Sequence, residues 1–207
     1  MKKKIIITGG LGYIGTELCK LYSGVSWNNQ IIVIDNRFIS ERVNQIRNWN
    51  MEFVHGDILD KKLIIKYCKD ADIIHHLAGI TDVPRTKLES NEENDKKIKS
   101  VAEEGTQNIL DSISAKCKII FPSTHVVYEG IEKVKNNILE EDELKPILSY
   151  SSSKAINEKQ LKNSGKNYVI LRLGSVYGYS TDTARIDIMP NLFSKIASQD
   201  GTIKLFA

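Results

Sequence analysis

Hydrophobic and polar positions along this chain alternate between two periodicities. Continuous apolar runs rich in β-branched residues occur at 4–8, 30–35, 52–56, 72–78, 117–123 and 168–173. Such runs are typical of parallel strands that are covered on both faces. Stretches with helical spacing and charged outer faces separate them, at 15–22, 60–68, 95–114 and 149–163. This alternation predicts an α/β fold with a Rossmann-like, doubly wound parallel sheet and right-handed crossovers.

The pattern changes after residue 178. Residues 179–190 have a loop-like composition, 191–198 are consistent with one short helix, and 202–207 with a strand. We therefore expect a dinucleotide-binding domain over 1–178 and the beginning of a smaller substrate-binding domain over 179–207. We expect that second domain to be incomplete at residue 207.

Composition and charge narrow the class of protein. The 207 residues carry a net charge of +3 and 41% hydrophobic residues, which is ordinary for a globular protein with a buried core. The basic run near Lys96 follows acidic residues, which favours a solvated helix face over a nucleic-acid patch. No apolar run approaches the length of about 20 residues that a membrane helix needs. Cys19, Cys68 and Cys117 lie in apolar segments, which predicts reduced core residues of a cytoplasmic protein and no metal site.

A glycine-rich window follows the first predicted strand. Gly9 stands where the strand must turn sharply, Gly12 leaves room for a pyrophosphate, and Gly15 allows the next helix to pack closely on the strand. The free N–H groups at the start of that helix then hold the phosphates. A plain tight turn has the same composition, but the strand before it and the helix after it favour dinucleotide binding.

Acidic residues further along support a bound adenine nucleotide. Asp35 ends the second predicted strand and suits hydrogen bonds to both ribose hydroxyls, which favours NAD; NADP is the alternative because Arg37 lies nearby. Asp57 and Ile58 follow the third strand and suit the adenine amino group and ring face, although Asp57 also suits a helix N-cap. Small residues at 76–79 let a cofactor lie against the backbone.

Two pairs of residues carry the candidate chemistry. Tyr150 and Lys154 are four apart in a helical stretch and share one face, about 6 Å apart along the axis. The lysine ammonium and the positive nicotinamide ring of a bound cofactor are both expected to favour the phenolate, which lowers the pKa of the phenol toward the working range of a base. Thr124 or Ser123, at the end of the fifth strand, is placed to donate or relay a hydrogen bond to the same substrate oxygen. His75 and His76 are expected to be core histidines.

At this point the chain resembles the extended short-chain dehydrogenase/reductase family, in its NAD-dependent nucleotide-sugar epimerase/dehydratase group that includes UDP-glucose 4-epimerase. The matching motifs are "TGGLGYIG" at 8–15, Asp35, "GDI" at 56–58, "HLAG" at 76–79, "GTQNIL" at 105–110, "PSTHVVY" at 122–128, "YSSSK" at 150–154 and "LRLGSVYG" at 171–178. They occur in family order across almost the whole chain.

The resemblance implies a set of roles. Tyr150 is the catalytic base, Lys154 anchors the ribose, and Thr124 steadies the reacting oxygen. Family members oxidise a sugar hydroxyl by hydride transfer to bound NAD, process the keto sugar and usually return the hydride. The implied cofactor contacts are Gly9, Gly12, Tyr13, Ile14, Gly15, Asp35, Asn36, Asp57, Ile58, Leu77, Ala78, Gly79, Ser123, Tyr150 and Lys154. The implied substrate contacts are Thr81, Thr124 and Ser175. The implied partners are a nucleotide sugar and a second copy of the chain, which docks through the helices near 91–114 and 146–164.

Departures from the family pattern separate its activities. Dehydratases of this group carry an acidic pair after the Ser-Thr of strand five, where this chain has His125 and Val126. Decarboxylases keep a Glu at the position of Val126, so both activities are disfavoured. An epimerase is expected, with a net reductase or dehydrogenase and a non-catalytic NAD-binding protein as alternatives. Ser175 replaces the expected Asn, and Glu129 is an extra residue between Tyr128 and the following glycine.

Overall fold

Each apolar run of the sequence forms a parallel strand. The computed structural model describes residues 2–81, 91–180, 185–186 and 188–205. The strands are β1 Lys4–Thr8, β2 Gln30–Asp35, β3 Glu52–His55, β4 Ile73–His76, β5 Lys118–Thr124 and β6 Asn167–Leu173. The α-helices are α1 Tyr13–Tyr22, α2 Ser40–Asn48, α3 Lys61–Cys68, α4 Glu92–Ser112, α5 Ser149–Asn163 and α6 Met189–Ser198. Short 3₁₀ helices span Ser23–Asn28 and His125–Tyr128.

The six strands form one sheet in the order β3-β2-β1-β4-β5-β6, with every neighbouring pair parallel. The order reverses between β1 and β4. Open α/β sheets bind their ligands at such a reversal, outside the carboxyl ends of the strands. The predicted doubly wound sheet is therefore confirmed, and it places the candidate site at the ends of β1, β4 and β5.

Successive residues of β1 face two separate hydrophobic layers. Ile6 belongs to the layer covered by α3, α4 and α5, whereas Ile5 and Ile7 belong to the layer covered by α1 and α2. Burying one such side chain contributes about 1.5–3 kcal/mol. Because both faces of the sheet are covered, its strands read as continuous apolar runs rather than as alternating ones.

Buried polar side chains inside the sheet are paired with one another. The His76 ring lies 2.9 Å from Thr8 Oγ1 and 3.0 Å from Thr106 Oγ1, and His75 Nε2 lies 2.8 Å from the Tyr22 hydroxyl. Burial, together with the nearby Lys154 charge, lowers the pKa of His76 to about 3. These contacts confirm that both histidines belong to the core.

The three cysteines are also core residues, as predicted. Cys19, Cys68 and Cys117 are buried and unpaired. Burial raises their pKa values, to about 12 for Cys19 and Cys68 and to about 11 for Cys117. Their thiols are therefore unreactive near neutral pH.

Two elements differ from the sequence-based expectation. Helix α2 was not predicted, because its window is strongly polar and only Arg42, Val43 and Ile46 are buried. The strand expected at 202–207 is wrong over 202–205, which form exposed coil. Within the described ranges, no helix combines the length and the apolar character needed to cross a membrane.

A buried ion pair ties α5 to the edge of the sheet. The Glu158 carboxylate on α5 accepts hydrogen bonds from Arg172 Nε at 3.0 Å and Nη2 at 2.7 Å, and from the Ser123 hydroxyl at 2.6 Å. The Glu158 side chain is 1% exposed and that of Arg172 is 13% exposed. This contact joins β5, β6 and α5 at one point.

Removing the Glu158 carboxylate is expected to destabilise the fold strongly. Glu158→Ala leaves Arg172 without its buried partner, which costs about 3–5 kcal/mol in comparable pairs. The matched control is Lys162→Ala, because Lys162 Nζ lies 3.7 Å from the same carboxylate but its side chain is 49% exposed; it should cost less than about 1 kcal/mol. Urea unfolding measures both free energies. Equal losses would contradict this account of the pair.

Candidate functional site

The turn after β1 approaches the end of β4 more closely than a side chain allows. Gly9 has φ of +71°, and a Cβ there would lie 2.6 Å from the backbone nitrogen of Ala78. A Cβ on Gly15 would lie 2.3 Å from the Gly9 carbonyl oxygen. Gly9 therefore meets its predicted requirement. Gly15 lets α1 pack on the turn itself, rather than on the strand as expected.

Helix α1 presents an uncapped N-terminus to this crevice. Its N-cap residue is Gly12, which offers no side-chain hydrogen bond to the first turn. The first N–H groups of a helix have no acceptor within the helix, and the positive end of its dipole favours an anion. A Cβ on Gly12 would lie 3.7 Å from Arg37 Nη2, so a guanidinium borders the same space. This cradle suits a diphosphate.

Asp35 at the end of β2 holds the glycine turn in place. One carboxylate oxygen accepts from the Leu11 N–H at 2.9 Å; the other accepts from the Arg37 N–H at 3.0 Å and lies 3.4 Å from Arg37 Nε. Asp35 is buried, whereas the Arg37 side chain is 51% exposed. A carboxylate has about four acceptor positions, so one remains for a ribose hydroxyl.

The predicted adenine contacts are brought together only in part. Asn36 Nδ2 donates to Asp57 Oδ2 at 2.9 Å, so these two residues share one edge of the crevice. The alternative role of Asp57 as a helix N-cap is wrong, because Asp60 caps α3 through the Leu63 N–H. Ile58 is 5% exposed and its Cδ1 lies against Gly105, so little of its side chain is left for an adenine ring.

Tyr13 and the residues after β4 make different kinds of contact around the crevice. The Tyr13 hydroxyl donates to the Gly178 carbonyl and accepts from Asn191 Nδ2 at 3.3 Å, which ties the glycine turn to α6. The Ala78 N–H donates to Thr8 Oγ1 at 3.3 Å. A Cβ on Gly79 would meet no atom within 4 Å, so Gly79 faces open space. The Leu77 N–H donates to the Thr8 carbonyl at 3.1 Å and its side chain is half-buried, whereas Ile14 and Thr81 are exposed.

The two hydroxyls at the end of β5 have different partners. Ser123 donates to Glu158, so its proton is used within the protein and is not available for a substrate oxygen in this structure. Its oxygen can still accept a hydrogen bond, so a relay through Ser123 stays a prediction. The Thr124 oxygen accepts from the Val126 N–H at 3.3 Å, which leaves its own proton available. Thr124 is therefore the hydroxyl of this pair that can donate to a ligand.

Tyr150 and Lys154 lie on one face of α5, as predicted, with Lys154 Nζ 5.8 Å from the centre of the Tyr150 ring. The ammonium donates to the Pro122 carbonyl at 2.8 Å and lies 4.4 Å from the Phe121 ring centre. Burial lowers the pKa of Lys154 to about 8, so the charged form predominates at neutral pH.

Without a cofactor, the charges of the protein do not lower the pKa of the Tyr150 phenol. Burial raises the pKa of Tyr150, and the charge of Arg185 opposes that effect without overcoming it. The Lys154 ammonium is not among the charges that shift this pKa, although its Nζ lies 5.8 Å from the Tyr150 ring centre. Additional positive charge beside the phenol is needed to make it a base near pH 7.

Other residues at this end of the sheet were missed or only partly anticipated. The effect of the Arg185 charge on Tyr150 was not predicted, because the two residues are far apart in the sequence and no motif links them. His125 is exposed, with Nδ1 3.1 Å from the Leu173 carbonyl. Ser175 lies exposed in the loop after β6. Glu129 was noticed only as an extra residue, yet its carboxylate contacts the start of α5.

Comparison with known proteins gives a consistent result. Residues 5–207 match the model of the NAD dependent epimerase/dehydratase family. The chain is 36% identical over 146 residues to CDP-paratose 2-epimerase of Salmonella typhi, covering 65% of this chain and 40% of that protein. It is 30% identical over 197 residues to dTDP-D-glucose 4,6-dehydratase of Dictyostelium discoideum, covering 85% of this chain and 44% of that protein.

The backbone of this chain is also similar to that of a solved structure. UDP-glucuronic acid 4-epimerase from Bacillus cereus, in complex with NAD, superimposes with a TM-score of 0.77 at 25% identity. The superposition covers 99% of this chain and 65% of that one. The chain thus spans less than half the length of the two curated relatives, and about two thirds of this structure.

Adding one methyl group at Gly9 is expected to lower the free energy of unfolding. Gly9→Ala strains a left-handed backbone, at about 1–3 kcal/mol, and drives a Cβ into β4, so we expect a loss of at least about 2 kcal/mol. Gly24→Ala is the control, because a Cβ there meets no atom within 4 Å and its φ is not positive; we expect a change within about 1 kcal/mol. Chemical denaturation compares them. A Gly9→Ala variant as stable as Gly24→Ala would contradict the steric argument.

Proposed function

Because the chain belongs to the NAD dependent epimerase/dehydratase family, we propose that it binds NAD and acts as a nucleotide-sugar epimerase similar to UDP-glucose 4-epimerase. The observation that carries this proposal is the place of the Tyr150–Lys154 pair on α5. Lys154 Nζ lies 5.8 Å from the Tyr150 ring centre and donates to the Pro122 carbonyl, in the strand that ends at Thr124, whose own proton is free.

The cofactor assignment is supported by the shape and charge of the cradle. NAD is the cofactor of the family, and a Cβ at Gly9 or Gly15 would close the turn that forms the cradle. The uncapped start of α1 suits the pyrophosphate, and Asp35 retains one acceptor position for the adenosine ribose. Arg37 supports NADP as the alternative, because its guanidinium offsets the negative charge that would repel a 2′-phosphate.

The proposed chemistry assigns one task to each side chain. Thr124 donates a hydrogen bond to the sugar hydroxyl oxygen, and Tyr150 takes the proton of that hydroxyl. When bound, NAD would supply the acceptor for a hydride from the carbon that bears this hydroxyl, and return of that hydride to the other face of the keto sugar would complete the epimerisation without net use of cofactor. Lys154 supplies positive charge beside the phenol and donors for a ribose. The positive charge of a nicotinamide ring near the phenol would oppose the burial that raises the pKa of Tyr150.

The two residues after Thr124, His125 and Val126, favour epimerisation over dehydration. Removing water from a sugar needs an acid and a base besides the phenol, and Val126 supplies neither. His125 is exposed and its Nδ1 contacts a backbone carbonyl. A reductase or dehydrogenase with net NAD(P)H turnover is the second candidate, favoured by Arg37 beside Asp35.

The organisation of the whole protein also belongs to this proposal. We keep the boundary near 178, with 179–207 as the start of a substrate-binding region. We also propose a cytoplasmic homodimer that docks through α4 and α5. These helices support each other through Asn157, which donates to the Ala102 carbonyl at 2.9 Å, and Gln160, which donates to the Glu103 carbonyl at 3.0 Å.

Tyr150→Phe tests the mechanism directly. Acid release of nucleotide from the purified chain should yield NAD, and a panel of UDP-, GDP-, CDP- and dTDP-sugars identifies a substrate. Losing a general base is expected to lower turnover by about 10²–10⁴-fold while NAD stays bound. Tyr67→Phe on α3 is the matched control and should leave turnover unchanged. Unchanged turnover in Tyr150→Phe would contradict the mechanism, and stoichiometric NAD(P)H consumption would favour the reductase.

A further inference from the structure

We propose that Glu129 is a positioning residue, whose carboxylate fixes the first turn of α5, and so the Tyr150 phenol, relative to Thr124. This inference rests on the proposed function, because it matters only where Tyr150 acts as the base. Nothing in the comparisons or in the sequence motifs assigns a role to Glu129.

The contacts of Glu129 converge on the start of α5. Its Oε1 accepts from the Ile147 N–H at 2.6 Å, from the Leu148 N–H at 2.7 Å and from the Ser151 hydroxyl. Tyr150 lies between the last two of these donors. One carboxylate oxygen therefore holds the chain immediately before and immediately after the phenol.

The Glu129 carboxylate also lies at the N-terminus of α5. It accepts from the N–H of Leu148, the N-cap residue, and from the N–H of Ile147 before it, and Leu148 has no side-chain oxygen of its own. A negative charge at this end of a helix is favoured by the helix dipole. Burial raises the pKa of Glu129, but the hydrogen bonds from Ser151 and from the Leu148 and Ile147 N–H groups outweigh it, so the net shift is downward.

On the other side, Glu129 is tied to Thr124 by a continuous backbone path. The 3₁₀ helix His125–Tyr128 starts directly after Thr124 and ends directly before Glu129. The Lys145 N–H donates to the Val127 carbonyl at 2.8 Å, and the Gly130 N–H donates to the Lys145 carbonyl at 2.8 Å. Glu129 lies between these two bonds, so its position is fixed by the segment that carries Thr124.

The test compares three variants of the whole chain. Glu129→Ala removes the acceptor, and Glu129→Gln keeps one acceptor oxygen without the charge. Asp60→Ala is the matched control, because Asp60 caps α3 through the Leu63 N–H and has no contact with α5 in the described part of the chain. The measured quantity is the pKa of the Tyr150 phenol, with and without NAD. It is obtained by NMR of ring-labelled tyrosine across a pH titration, and the Tyr150 signal is assigned by its loss in Tyr150→Phe.

In the wild-type chain we expect saturating NAD to lower the pKa of Tyr150, since a nearby positive charge favours the phenolate. Glu129→Ala should lose most of this NAD-dependent change while its NAD affinity stays within about twofold, because the cradle is on another element. Misplacing a catalytic group costs up to about 100-fold in rate, so kcat should fall about 10- to 100-fold with little change in KM. Glu129→Gln should recover most of both, and Asp60→Ala should change neither.

Each outcome decides a separate point. A folded Glu129→Ala variant that keeps the full NAD-dependent change would overturn the role of Glu129, as would an equal loss in Asp60→Ala. A wild-type chain without any NAD-dependent change would overturn the proposed function, and the role of Glu129 with it. If Glu129→Ala does not fold, Ser151→Ala removes one of the three donors and is read in the same way: a partial loss supports the role and no loss contradicts it.

Discussion

The crevice at the end of the sheet exists because Gly9 has no side chain. The turn after β1 lies against the backbone of Ala78 at a distance that excludes any Cβ, and it has a left-handed φ that other residues rarely adopt. Asp35 then holds the Leu11 N–H, which fixes the turn from the side of β2. Together these contacts aim the uncapped end of α1 at the space between β1 and β4. The anion cradle is thus a property of the backbone rather than of any charged side chain.

The other half of the site depends on how α5 is held. Three polar contacts join it to the sheet and to the segment before it: Glu129 at its first turn, Lys154 on the Pro122 carbonyl, and Glu158 on Arg172. Two further contacts, from Asn157 and Gln160, join it to α4. These contacts restrain the helix that carries Tyr150 relative to β5, which ends at Thr124. A helix held only by apolar contacts would have no comparable restraint along its axis.

How much of this could be predicted from the sequence depends on the range of each interaction. The strands were predicted to within one or two residues because burial of both sheet faces leaves a continuous apolar run. The glycine turn and the Tyr150–Lys154 pair follow from local spacing. Helix α2 gave no clear pattern, because few of its residues are buried. The contact of Ser123 with Glu158 was not predicted, because Glu158 is 35 residues away. The role of Glu129 was missed for the same reason, since its donors lie 18 to 22 residues further along the chain.

The phenol pKa shows why spacing alone is insufficient at the chemical centre. A lysine one turn away and a bound nicotinamide ring were together expected to lower it, but in the chain alone burial dominates and raises the pKa of Tyr150. The same burial brings the pKa of Lys154 itself down to about 8, because one low-dielectric environment disfavours both the phenolate and the ammonium. A further positive charge beside the phenol would stabilise the phenolate, and the phenolate would in turn stabilise the Lys154 ammonium. The pair is therefore arranged to respond to a cationic ligand, and this links the chemistry of α5 to the cradle beneath α1.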